Sequence, residues 1–262
     1  MPELPDVEHF RGFLSQHASG RTIERVVVTD PGILRGVDAE PLDRALSGHR
    51  FLEPDRHGKW LIAWTTGPAV LIHFGMTGDL TWAQGPEGRH RHDRVVFVTD
   101  LGELRYRNMR KLGGLWMAHG SDGVAEVLGP LGPDAIEVKR RQFHEILARR
   151  RGRVKAAMMN QRFVAGLGNI LVDEILWQAR IHPATTVDRL SETQRDLLFT
   201  RMRSVVRRAV ETYDYMDRNQ QWLSHVRGRP GARCPRRHDV LERTVIAGRT
   251  TYYCPRCQPA VD

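Results

Sequence analysis

The hydrophobic positions change period three times along the chain. In the first twenty residues Val7, Phe10, Phe13 and Leu14 recur at helical spacing, behind the two prolines of "MPELPDVE". From about 21 to 116 the pattern shortens to strands. "RTIERVVVTD", "WLIAWTT", "AVLIHFGMTG", "DRVVFVTD" and "GELRYRN" are rich in Val, Ile and aromatic residues, and Gly, Pro and Asp separate them. Short strands with turns between them predict an antiparallel sandwich or barrel. "LGPLGPDAIEV" at 128–138 reads as a linker. Beyond it the period becomes helical in "RRQFHEILARRR", "GLGNILVDEILWQARI" and "SETQRDLLFTRMRSVVRRAVETY", the last opening with a capping box of Ser191 and Gln194. Helical signals fade after about 217, and "RTVIAGRTTYYCPRC" reads as a hairpin turning at Ala247-Gly248. The expected fold class is α+β, with domains at 1–130, 131–225 and 226–262.

Charge narrows the partners. The 262 residues carry a formal net charge of +9 and a pI near 10.1, a surplus suited to nucleic acid. Only Lys59, Lys111, Lys139 and Lys155 are lysines, so the basic surface is built of arginine, which suits phosphate binding. No apolar run is long enough to span a membrane, and the start lacks a basic-then-apolar signal, so a cytoplasmic protein without a membrane partner is expected. The three cysteines all lie within 234–257 and point to metal rather than to a disulfide framework.

The tail carries the most legible chemistry. Cys254-x-x-Cys257 puts two thiolates on one tight turn, and Cys234-x3-His238 supplies a second pair, a Cys3His set for one structural zinc ion. Arginines crowd this finger, and Arg249 follows the hairpin turn, where it can reach a duplex. "AGLGNILVDEIL" places Gly166, Gly168 and Asn169 before a helix, an arrangement that serves either phosphate binding or ordinary capping. Lys59 stands just before a strand. Met76 is expected at a hairpin tip between Gly75 and Gly78, and "RYRNMRKLGG" offers Arg110 and Leu112 as a basic, apolar pair able to wedge into a base stack. The chain start has two readings: a lead-in whose prolines delay the helix, or a masked nucleophile. Loss of Met1 would leave Pro2 as a secondary amine beside Glu3, able to form an iminium ion.

Together "MPELPDVE", "HGKWL", "HFGMTG", "AGLGNILVDEILWQARIHP" and "GRTTYYCPRCQ" resemble the formamidopyrimidine-DNA glycosylase / endonuclease VIII family, in that family's order and across nearly the whole chain. The resemblance implies an N-terminal β-sandwich with a leading helix, a helical domain carrying a helix–two-turns–helix motif, a zinc-finger hairpin, and DNA held in the cleft between the domains. It implies a bifunctional glycosylase and abasic-site lyase of base excision repair, a monomer acting on duplex DNA with a damaged base. Pro2 would attack C1′ of the damaged nucleotide, and Glu3 would move protons at the sugar. Lys59, Asn169 and Arg249 would hold phosphates. Met76, Arg110 and Leu112 would fill the gap left by the extruded base. Glu174 matches a family acid near the active site, and Lys155 is assigned to DNA contact.

Three departures bear on the substrate. The finger has Cys3His where most bacterial members have four cysteines. Leu112 stands where many formamidopyrimidine-branch members have Phe. The segment at about 213–233 is short where members preferring 8-oxoguanine carry a longer loop over the base. Oxidised pyrimidines, ring-opened purines or abasic sites are therefore expected over 8-oxoguanine. Two alternatives remain: the same chemistry specialised for bulky alkylated or crosslinked bases, and a non-catalytic binder of damaged DNA.

Overall fold

The computed structural model describes residues 2–212 and 218–260. Part of the short segment at 213–233, namely 213–217, lies outside the described residues. The chain divides into two compact units. One comprises Met1–Pro2 and Asp6–Pro130, the other Glu3–Pro5 and Leu131–Asp262.

Helix α1 (Leu4–Ala18) starts directly behind Glu3 and belongs to the first unit from Asp6 onward. Two four-stranded antiparallel sheets follow. One has the order β1 (Ile23–Val28), β6 (Asp93–Thr99), β7 (Glu103–Asn108), β5 (Gly78–Ala83). The other has the order β2 (Asp55–His57), β3 (Trp60–Ala63), β4 (Ala69–His73), β8 (Gly114–Ala118). Val26, Leu80, Phe97, Leu104 and Tyr106 from the first sheet share one buried core with Leu61, Val70, Ile72 and Leu115 from the second. Val7, Phe10 and Leu14, the helical stripe read from the sequence, join that core. Burial of such side chains is the main drive for this packing, roughly 1.5–3 kcal/mol for each. A short α2 (Ala39–Leu46) buries Leu42 and Leu46, and α3 (Gly120–Leu128) ends at Gly129, whose φ of 64° suits glycine.

β4 and β5 belong to different sheets. The Met76 segment is therefore a crossover between sheets and not a hairpin tip. The alternation within "AVLIHFGMTG" could not reveal this, because a crossover and a hairpin present the same Gly-x-x-Gly punctuation.

The second unit is helical up to its C-terminal finger. It contains α4 (Arg140–Ala148), α5 (Val154–Met159), α6 (Asn169–Ala179) and α7 (Glu192–Glu211). The Ser191–Gln194 capping box is formed in both directions. α6 is buried on nearly every face, packed among Phe143, Leu147, Met158, Val187 and Met202. A single turn, α8 (Leu223–Val226), leads to the finger hairpin of β9 (Glu242–Ile246) and β10 (Arg249–Tyr253). Ala247 and Gly248 both have positive φ, 49° and 70°, the two-residue turn that matches strand twist. Among the described residues no helix is long and apolar enough to cross a membrane.

Candidate active site

Each unit supplies its own group of residues. In the second unit the chain start meets α6. α6 is capped by Gly168, which has no side chain to satisfy the first amides of the helix. Glu3 does it instead. Its Oε1 accepts from Ile170 N at 2.9 Å and its Oε2 from Leu171 N at 3.0 Å. Glu3 is fully buried, and the amide dipoles at this helix end favour an anion. Leu4 N donates to Gly166 O at 3.1 Å, and Leu4 sits in the helical core. The glycines of "AGLGN" have a direct reason to be there. A Cβ on Gly168 would lie 2.2 Å from Glu3 Cδ, and one on Gly166 would lie 2.4 Å from Leu4 Cδ1 at a φ of 105°. The loop, open in the sequence to phosphate binding or ordinary capping, is first a seat for residues 3 and 4.

Asn169 begins α6 one residue later. Its Nδ2 donates to Thr250 O at 2.9 Å, while its buried Oδ1 has no partner among the described residues. Arg249, the first residue of β10, is exposed. Thr250 O also accepts from Arg227 Nη2 at 2.9 Å, so the end of the hairpin is tied down next to the arginine.

Two assigned residues are interior. Lys155 was expected to contact DNA, yet it is fully buried on α5. Its ammonium meets Asp173 Oδ1 at 2.6 Å and Thr251 Oγ1 at 2.7 Å. A lysine buried this deeply persists because its charge is paired, and nothing of it is left to touch a phosphate. Glu174 is buried too, and burial raises its carboxyl to a pKa of about 7. It accepts from Ser224 N at 2.9 Å and from Gln178 Nε2 at 2.8 Å, fixing α8 against α6.

The crowd of finger arginines also divides. Arg236 lies over the Trp177 ring at 4.1 Å and donates to Trp177 O at 3.2 Å, so it packs the finger onto α6. Arg227 pairs with Asp173 Oδ2 at 3.0 Å. Arg249 keeps its exposure.

The first unit holds the remaining residues. Pro2 is half-buried. Lys59 sits with Gly58 in the two-residue turn between β2 and β3, where Gly58 has a φ of 56°. Burial of the His73 ring, with the Lys59 charge as the lesser cause, lowers its pKa to about 4 and keeps it neutral. His73 Nδ1 accordingly accepts from Gly75 N at 3.2 Å. Met76, Arg110 and Leu112 lie on two loops in close contact, since a Cβ on Gly75 would come within 2.6 Å of the Leu112 carbonyl carbon. Met76 and Leu112 are 41% and 56% exposed, unusual for such large apolar side chains. Met109, which the sequence did not single out, is equally bare at 54%. The loop beneath them is tied down by hydrogen bonds. Arg110 N donates to Thr77 Oγ1 at 3.1 Å and Lys111 N to Asn108 Oδ1 at 2.9 Å, and Arg35 Nη2 donates to Gly113 O at 3.0 Å.

The finger fits a structural zinc ion. The sulfurs of Cys234, Cys254 and Cys257 all lie within 4.8 Å of one another. Cys234 Sγ and Cys257 Sγ are 3.6 Å apart, close to the roughly 3.8 Å that tetrahedral zinc–thiolate bonding requires. Arg237 has a φ of 59°, which turns the chain so that the next residue, His238, brings Nδ1 to 3.0 Å from Cys257 Sγ.

Family models match three stretches. Residues 1–115 match the formamidopyrimidine-DNA glycosylase N-terminal domain, 129–219 the H2TH domain of the same enzyme, and 239–260 the zinc finger found in FPG and IleRS. The chain is 34% identical over its whole length to the formamidopyrimidine-DNA glycosylase of Bacillus anthracis, all of which it covers. It is 38% identical over 99% of its length to the enzyme of Symbiobacterium thermophilum, of which it covers 90%. Among solved structures, the Lactococcus lactis enzyme bound to DNA containing an abasic site superposes with a TM-score of 0.90 at 29% identity, covering 98% of this chain and all of that one. A Lactococcus lactis complex with DNA containing N7-benzyl-Fapy-dG gives the same TM-score at 28% identity, covering 99% of this chain and all of that one. With its two sheets, its helical unit and its zinc finger, the chain belongs to the formamidopyrimidine-DNA glycosylase family of base-excision-repair enzymes.

Proposed function

We propose that the chain is a bifunctional glycosylase and abasic-site lyase for damaged duplex DNA, with Pro2 as nucleophile once Met1 is removed. The observation that carries this reading is the double hydrogen bond from Ile170 N and Leu171 N to Glu3. It fixes the residue next to Pro2 with a precision that a frayed chain end does not have.

The neutral Pro2 nitrogen attacks C1′ of the damaged nucleotide, and the N-glycosidic bond breaks. The base leaves with the bonding pair and takes up a proton. The nitrogen gives up its own proton, its lone pair forms the C1′=N iminium as the C1′–O4′ bond breaks, and the ring oxygen takes up a proton to become the C4′ hydroxyl. The iminium acidifies the C2′ protons. Loss of one, followed by loss of the 3′ phosphate as leaving group, cuts the strand. Glu3 handles protons at the sugar from its fixed seat. Lys59, Asn169 and Arg249 hold phosphates around the lesion. Met76, Arg110 and Leu112 occupy the space of the extruded base, offsetting a flipping cost of about a few kcal/mol. Lys155 and Glu174 act from inside the helical unit as supports. Cys234, Cys254 and Cys257 hold zinc with His238 as the fourth ligand.

The solved Lactococcus complexes contain abasic-site DNA and a bulky ring-opened purine. For this chain the short segment at about 213–233 supports a preference in which oxidised pyrimidines, ring-opened purines and abasic sites rank above 8-oxoguanine. The protein acts as a monomer. Borohydride trapping on a duplex with one abasic site tests the reading. A covalent band present in the Met1-processed protein and lost in Pro2→Gly is expected. Absence of the band in folded, DNA-binding protein would leave a binder of damaged DNA.

A further inference from the structure

The hairpin that carries Arg249 is held by a buried charge cluster whose members come from four segments. Asp173, on α6, is its centre. Its Oδ1 meets Lys155 Nζ at 2.6 Å, and its Oδ2 accepts from Arg227 Nε at 3.0 Å and from Tyr252 N at 3.2 Å. The two cations then reach the hairpin. Lys155 donates to Thr251 Oγ1 at 2.7 Å, and Thr251 Oγ1 donates back to Arg249 O at 3.1 Å. Arg227 donates to Thr250 O at 2.9 Å and lies 4.9 Å from the Tyr252 ring centroid. Thr250 O receives Asn169 Nδ2 as well, at 2.9 Å.

Every backbone polar group so held, Arg249 O, Thr250 O and Tyr252 N, lies on the first four residues of β10. Successive side chains of a strand alternate, so Arg249 leaves the strand on the same side as the fully buried Thr251. The anchor at Thr251 therefore sets the direction in which Arg249 points. Asp173 and Lys155 are each no more than 1% exposed, so the pair is shielded from solvent and geometrically demanding.

We propose that Asp173 and Arg227 are positioning residues for Arg249: they convert a small hairpin into a fixed arm that presents one guanidinium to a DNA phosphate. This rests on the reading above, in which Arg249 contacts phosphate.

The test is a double-mutant cycle with salt titration, using abasic-site duplex binding and single-turnover cleavage. Arg249→Ala is the reference, expected to lower the slope of log affinity against log salt by about 0.9, one phosphate contact. Asp173→Asn should lower the slope by the same amount. The double variant should match Arg249→Ala within about twofold, because Asp173 acts through Arg249. Arg227→Gln, which leaves the Asp173–Lys155 pair neutral, serves where Asp173→Asn does not fold, and Arg227→Lys should restore part of the loss. Zinc content and melting temperature are read alongside. Unchanged salt slopes in folded Asp173→Asn and Arg227→Gln, or losses that add fully to that of Arg249→Ala, would overturn the proposal. An unchanged slope in Arg249→Ala itself would instead overturn the assignment of Arg249 to phosphate.

Discussion

The Leu171 amide donates to Glu3 Oε2 while the amide beside it serves the other oxygen, so one carboxylate caps a helix that has no cap of its own. Glu3→Gln replaces one acceptor by an amide donor facing an N–H. A stability loss of about 1–3 kcal/mol is expected in urea unfolding, since one buried donor loses its partner. Gly168→Ala tests the same seat from the other side. Its methyl would occupy the space of the Glu3 carboxyl, so the trapped adduct should disappear while zinc content is kept.

Leu112 offers a cleaner separation of function from stability. It is more than half exposed and contributes little to the core. Leu112→Ala should change the melting free energy by less than about 0.5 kcal/mol. Excision of a base from fully paired duplex should fall roughly tenfold, and much less when the opposite strand carries a gap at the lesion. Equal losses on both substrates would remove Leu112 from the wedge.

Glu174 gives a pH dependence with a definite sign. Burial lifts its folded pKa to about 7, from an ordinary unfolded value near 4.3. Below about pH 4.3 both states hold the proton and the group is neutral in effect. Between there and pH 7 the unfolded chain releases the proton first, so stability falls as pH rises. Above pH 7 the full penalty applies, on the order of 3 kcal/mol. Glu174→Gln keeps an acceptor for Ser224 N and cannot ionise. Its stability relative to the parent should rise from pH 5 to pH 8 and then level off. A flat difference across that range would show that the carboxyl is not shifted.

Zinc can be examined without activity. Protein purified without added metal should contain about one zinc per chain. Chelation should speed hydrogen exchange at β9 and β10 and leave the amides of β3 and β4 protected. His238→Ala should weaken zinc retention against a chelator, whereas Arg237→Ala should strain only the turn.

Much of this was legible because periodicity and chemistry coincide. The Val7–Leu14 stripe, the Ser191 capping box and the Ala247-Gly248 turn are local features, and each is formed as its residues dictate. Crossing between sheets is not local, which is why Met76 was misplaced. Lys155 was misread because "VKAAMM" says nothing of what covers it. A signal did exist one helix further on. In "ILVDEIL" two acids interrupt a run that is apolar all round, and such a helix is buried, so its acids need buried partners. Lys155 and Arg227 are the partners of the first, Gln178 and Ser224 those of the second.

The seat of Glu3 also imposes a schedule on synthesis. Its two amide donors lie 167 and 168 residues downstream. At ribosomal speeds that stretch takes roughly 10 to 30 s to emerge. Throughout that interval Glu3 has no helix end to dock on. The finger hairpin, which carries Arg249, emerges later still. Glu3 is made early, and it is held in place only after most of the remaining chain has followed.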